Sequence, residues 1–196
     1  MDNYKALTST SLPRGARAID ISFGQHDSVN HSDPAIRVMT DFRYTRPFTI
    51  EPSATIDQIN AKMIACGVRL LFVADNHLTV IGIVTYTDIL GEKPIRYLQE
   101  HGGGRNDILA NDLMTESSKI DTLQLSDIEN ARVGDIVETM KLFGRHHIVV
   151  INKSANREDV VSGLFSVTQI ERQTAIKVEL SASANTFADL ESALGA

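Results

Sequence analysis

The chain has 196 residues, of which 42% are hydrophobic and 22% charged, an ordinary globular balance that can bury one good core or two small ones leaning on each other. Nineteen basic against 25 acidic residues give a net charge of −6, which argues against a general nucleic-acid or acidic-membrane surface. One cysteine, Cys66, excludes an internal disulfide framework, no apolar run approaches the roughly 18–20 residues that span a bilayer, and Met1 to Lys5 lacks the basic-then-apolar pattern of a secretory signal. The expectation is a soluble, cytoplasmic protein with no nucleic-acid and no membrane partner.

Residues 1–34 are rich in Ser, Asp, Asn and Gly, with Ile19, Ile21 and Phe23 as an alternating apolar trio; they predict a flexible extension or a short strand docked elsewhere. Met39-Thr40 leads into a loop and an extended piece. Ile56, Ile59 and Met63 then recur at one-turn spacing, which predicts a helix ended by a left-handed cap at Gly67. Leu70 to Val73 follows as a short strand covered on both faces, the turn Asp75-Asn76-His77 reverses the chain, and Val80 to Val84 predicts a second strand leading into a helix. Gly102-Gly103-Gly104-Arg105-Asn106 reads as a connecting loop, since it lacks the Lys-Ser/Thr of a phosphate loop.

The same series then returns. Met114-Thr115 leads; Val133, Ile136, Val137 and Met140 mark a helix ended at Gly144; Ile148 to Ile151 and Val160 to Phe165 predict strands around a longer polar turn, Lys153 to Asp159. Residues 54–75 lie over 131–152 without a gap at an offset of 77, and Gly82-Ile83-Val84-Thr85 lies over Gly163-Leu164-Phe165-Ser166 after a four-residue insertion. The chain is one supersecondary unit used twice. Each copy is a β-α-β-β-α repeat whose sheet face is too small to cover alone, which predicts an α+β fold with the two repeats packed together. Phe187, Leu190 and Leu194 space a short amphipathic helix in the tail.

The strongest local signal is Gly82-Ile83-Val84-Thr85-Tyr86-Thr87-Asp88. It sets a hydroxyl and a carboxylate at a helix start, where exposed amides favour an anion. A carboxylate only accepts hydrogen bonds, so it can take both hydroxyls of a ribose diol. With its counterpart, this pattern resembles a tandem pair of CBS domains, the Bateman module: the Met-Thr lead, the amphipathic helix, the apolar strand and the Gly-x-x-Thr-x-x-Asp close. The resemblance covers roughly residues 36–175. It implies two repeats packed sheet to sheet with pseudo-twofold symmetry, over 35–106 (with the connecting segment) and 107–176, between the 1–34 extension and a 177–196 tail. It also implies clefts that bind adenosine compounds and regulate a partner.

By that resemblance Asp88 is the ribose-binding acid and Thr85 its hydroxyl partner, facing Arg145, His146 and His147 from the corner of the other repeat. The second copy departs from the pattern. Ser166 keeps the hydroxyl, Gln169 replaces the acid, and the facing corner offers Arg69. An amide accepts through one oxygen and holds a diol less well, so the expectation is one working site at Asp88 and a weaker second cleft. Both Thr85-x-x-Asp88 and Ser166-x-x-Gln169 also read as capping boxes, a role the amide suits better than the shorter acid. His146 and His147, adjacent on a strand and without Cys or carboxylate at ligand spacing, make a poor metal site. Cys66 and the Met63/Met140 pair read as core, and nothing supplies catalysis.

The function expected is therefore a non-enzymatic regulatory module, homodimeric, that senses an adenosine-containing nucleotide (AMP, ADP, ATP, S-adenosylmethionine or NADH) and signals through contact with a regulated protein. The alternative is a ligand-independent dimeric scaffold.

Overall fold

The structure, a computed structural model, describes residues 11, 14, 29–154, 158–174 and 176–180. The trio Ile19, Ile21 and Phe23 and the tail helix around Phe187, Leu190 and Leu194 lie outside the described residues. In chain order the elements are β1 (Thr40–Asp41), β2 (Thr49–Ile50), α1 (Ile56–Cys66), β3 (Leu70–Ala74), β4 (Val80–Thr85), α2 (Tyr86–Leu90) and α3 (Lys93–His101). The second half has α4 (Ala110–Leu113), β5 (Thr115–Glu116), β6 (Thr122–Gln124), α5 (Leu125–Ile128), α6 (Val133–Phe143), β7 (His147–Lys153), β8 (Asp159–Ser166) and α7 (Val167–Thr174). Among the described residues no helix is long and apolar enough to cross a membrane.

The two long repeat helices form where the apolar spacing predicts them. In α1, Ile56, Ile59 and Met63 are buried, Thr55 and Gln58 close a capping box, and Gly67 ends the helix at φ +64°. In α6, Val133, Ile136, Val137 and Met140 are buried and Gly144 ends it at φ +61°, the left-handed conformation that favours glycine. The turn this cap makes aims the next residues into the adjoining strand, and so fixes the corners that matter below.

Two four-stranded sheets follow, ordered β2-β3-β4-β5 and β1-β8-β7-β6. The pairings β2 with β3 and β6 with β7 are parallel; the rest are antiparallel. Both hairpins shift register at equivalent places, Val73/Ala74 and Val150/Ile151. The leading strands are exchanged: β1 opens the first repeat yet pairs with β8 of the second, and β5 opens the second yet pairs with β4 of the first. Packing follows the exchange. Ala35, Val38 and Met39 are buried with α6, whereas Ile108, Ala110 and Leu113 are buried with α1. Matching backbone bonds tie each lead in place, Ala35 N–H to Ala131 O (2.9 Å) and Ala110 N–H to Ala54 O (2.8 Å).

Each lobe is consequently discontinuous in sequence. Val29 is buried in the second lobe and Asp33 O accepts from Val133 N–H, so residues 29–34, expected to be part of the extension, are anchored by packing that the sequence pattern does not display.

Strands β3 and β7 face two cores at once. Leu71 and Val73 point to the helices of the first lobe, Ile148 and Val150 to those of the second. Leu70, Phe72 and Val149 instead form the seam between the sheets with Phe42, Ile83, Ile120 and Leu164. Phe42 meets Phe72 edge to face, centroids 5.8 Å apart. This is the sheet-to-sheet packing that the family resemblance implies.

Gly82 and Gly163 are where the exchanged leads cross. A Cβ on Gly82 would lie 2.6 Å from Thr115 O and 2.7 Å from Met114 Sδ; one on Gly163 would lie 2.6 Å from Met39 Sδ. A methionine side chain can move aside, and a ladder carbonyl cannot without disturbing the β4–β5 pairing. Gly82→Ala is therefore expected to destabilise the fold by about 1–3 kcal/mol in urea unfolding and Gly163→Ala by less; equal or negligible losses would contradict the crossing described here.

Candidate functional site

Two clefts open along the seam, and each takes its walls from both repeats. The front cleft, about 190 Å³, is bordered by Thr85, Thr87 and Asp88 at the β4–α2 junction, and by Arg145, His146 and His147 at the α6–β7 corner. The back cleft, about 230 Å³, joins Ser166, Thr168 and Gln169 to the Gly67-Val68-Arg69 corner. The fold thus brings together the residue sets expected to face each other.

The junctions are held crosswise. Tyr86 N–H donates to Arg69 O (2.9 Å) and Val167 N–H to His146 O (3.0 Å), so the first amide of α2 and of α7 is already satisfied by a corner carbonyl. In the front cleft Asp88 is heavily engaged. Its Oδ2 accepts from Thr85 N–H (2.7 Å) and from the Thr85 hydroxyl (2.6 Å), and its Oδ1 pairs with Lys93 Nζ (2.7 Å). Lys93 also donates to Leu113 O (2.9 Å). A carboxylate offers about four lone-pair sites; three are used, and a diol needs two. Asp88 borders the hollow, but a ribose diol must displace Lys93, whose side chain is 44% exposed against 13% for the acid.

The capping expectation runs opposite to the one drawn from side-chain length. The acid caps its helix, while Gln169 Oε1 accepts from Arg172 within α7. Asp107, Asp112 and Asp135 make the same reach-back to the amide three residues earlier, each at 2.8 Å. A short acid three residues after the cap is habitual in this chain, so Thr-x-x-Asp alone is a less specific signal than its spacing suggests.

The electrostatics of the two clefts differ. In the front cleft Arg145 is held by Asp121 (3.1 Å) and Lys119 by Glu116 (3.3 Å), so its cations are largely answered. The back cleft has no carboxylate in its lining and three guanidiniums: Arg46 after β1, Arg69 at the corner and Arg172 on α7. Phe42, Phe48, Phe72, Leu70 and Leu164 make its apolar wall, with Phe48 43% exposed. Phe42, Phe48, Arg46 and Arg172 escape sequence reasoning because they lie in the lead, in the loop and on the far side of a helix. The one available signal was that the loop after Asp41 carries two arginines and three aromatic residues within seven positions.

His147 lines both clefts and pairs with Ser166 across the ladder. Burial, then repulsion from His146 and Arg69, pushes its pKa down to about 4 from an ordinary 6.5, against a smaller upward pull from Asp88. His147 is thus a neutral partition between the hollows at neutral pH. Among the described residues no group of three or more His, Cys, Asp or Glu is placed to hold a metal ion.

Residues 36–94 match the CBS domain family profile. No curated protein matches the chain. Among solved structures, a conserved protein from Pyrococcus horikoshii is 19% identical, with 77% of this chain and 98% of that one covered and a TM-score of 0.54. CBSX2, a CBS-pair protein of Arabidopsis thaliana solved in complex with AMP, is 18% identical over 72% of this chain and 95% of that one, TM-score 0.51. A CBS-domain-containing protein of Agrobacterium tumefaciens is 18% identical over 69% and 90%, TM-score 0.50. At these identities the likeness is one of fold.

The neutral His147 has a measurable consequence. Between pH 4 and 6.5 the unfolded chain binds more protons at this residue than the folded one, so its contribution to stability is complete above 6.5 and is lost as the pH falls towards 4. His147→Gln is expected to reduce the loss of urea-unfolding stability across that window by about 1–3 kcal/mol. An unchanged slope would place His147 in water rather than in the partition.

Proposed function

We propose, from the match of residues 36–94 to the CBS domain family and the likeness in fold to CBS-pair proteins, that the chain is a regulatory module that senses an adenine-containing nucleotide in the clefts of its seam. The observation that carries this reading is the dual parentage of each cleft: its walls come from both repeats, so a ligand that fills it would touch both. A molecule that bridges two lobes shifts their packing by its differential affinity for one arrangement. The candidates are AMP, ADP, ATP, S-adenosylmethionine and NADH, and the complex of CBSX2 with AMP supports the choice of class.

The clefts are unequal in what they ask of a ligand. At the front, Thr85 and Asp88 offer the diol site once Lys93 lets go, and Arg145, His146 and His147 stand opposite. At the back, Arg69, Ser166 and Gln169 face a roomier, more apolar slot that needs no such release. The signal would pass by contact to a regulated protein, from a homodimer for which the outer faces of α1 and α6 supply Ile64 and Leu142, 70% and 76% exposed. One observation favours the second reading, a ligand-independent dimeric scaffold: both oxygens of Asp88 are already engaged by the protein.

Thermal unfolding in the presence of each candidate separates the two. A ligand of the folded state at a hundred times its Kd stabilises by about 2.7 kcal/mol, which for a chain of this size is a rise of roughly 5–10 °C in Tm. The sensing reading expects such a rise with at least one nucleotide. No shift with any of the five at millimolar concentration would leave the scaffold.

A further inference from the structure

The two clefts differ in which part of a nucleotide they can recognise. In the front cleft the acceptor suited to a diol is Asp88, and the cations at its mouth are paired with Asp121 and Glu116. In the back cleft the equivalent position is Gln169, whose Oε1 already accepts from Arg172. What remains of that amide is one acceptor lone pair and an N–H donor pair, one acceptor short of what the protons of two hydroxyls need. The hydroxyls of Ser166 and Thr168 are neutral acceptors, and neutral hydrogen bonds are about half as strong as charged ones.

The charge of the back cleft points the other way. Arg46, Arg69 and Arg172 come from the loop after β1, the α1–β3 corner and α7 and line one hollow without a carboxylate in its lining. Among the described residues neither Arg46 nor Arg69 forms an ion pair. Guanidiniums bind phosphate oxygens in bidentate pairs, and the exposed ring of Phe48 beside Phe42 offers a stacking face for a base. We infer that the back cleft selects its nucleotide by phosphate charge and base and is indifferent to the ribose diol, so that 2′,3′-dideoxy and 3′-substituted adenine nucleotides enter it as readily as ribonucleotides. This rests on the reading of the clefts as nucleotide sites.

Calorimetric titration of the full chain with ATP, AMP and 2′,3′-dideoxyATP tests it. DideoxyATP is expected to bind within about threefold of ATP at one site, AMP more weakly than either, and Arg69→Gln or Arg46→Gln to weaken dideoxyATP by about tenfold or more. Both arginines are exposed, so neither variant threatens the fold. A loss of about tenfold or more on removing the hydroxyls, or arginine variants that bind dideoxyATP like the wild type, overturns the inference while ATP binding upholds the sensing function. Absence of heat with both ATP and dideoxyATP overturns the two together.

Discussion

Thr40–Asp41 completes the sheet of the second repeat and Thr115–Glu116 completes that of the first, and this exchange of two-residue strands is what the rest of the molecule depends on. Without its borrowed edge, each sheet would end at β4 or β8, leaving exposed the row of backbone groups that now pairs with the lead. The glycines at the crossings, Gly82 and Gly163, leave room for the incoming Met114 and Met39. Because each lobe contains the other repeat's lead, the repeats cannot separate without both sheets losing a strand. Leu70, Phe72 and Val149 at the seam add about 1.5–3 kcal/mol each as an upper estimate.

The clefts are by-products of this geometry. A strand that ends at the seam must turn into its helix there, and the opposite repeat presents the corner made by its left-handed glycine cap. Symmetry of the backbone therefore yields two hollows, and side-chain chemistry alone makes them different. At the front, Lys93 and the Thr85 backbone satisfy the acid; at the back, an amide turned towards Arg172 leaves guanidiniums facing an aromatic wall. His147 lies between them, and the bonds Tyr86–Arg69 and Val167–His146 tie each junction to the corner of the neighbouring cleft. A ligand on either side thus presses on elements the other side shares.

Much of the fold was legible in the residues. The helical spacing of Ile56, Ile59 and Met63 and of Val133, Ile136 and Met140 marks buried faces, the cap glycines mark the ends, the offset of 77 lays corner over corner, and the family resemblance sets each corner opposite a junction. Strand exchange was not legible, since two residues carry no periodicity, and the Met-Thr leads sit beside the repeat they precede in sequence. The engagement of Asp88 by Thr85 and Lys93 was not legible either. An acid reads as a free acceptor until its neighbours are placed, and Lys93, close in sequence to Asp88, becomes its partner only because α3 turns back over α2. Likewise Arg46, Arg69 and Arg172 are scattered along the chain and become a group through packing alone.

The central claim is that a nucleotide in the seam touches both repeats at once. Hydrogen–deuterium exchange of the full chain with and without ATP measures this directly. Slowed exchange is expected together in residues 42–48 and 67–70 from one repeat and in 166–172 from the other. Protection confined to one repeat, or none at saturating ATP, would contradict the account.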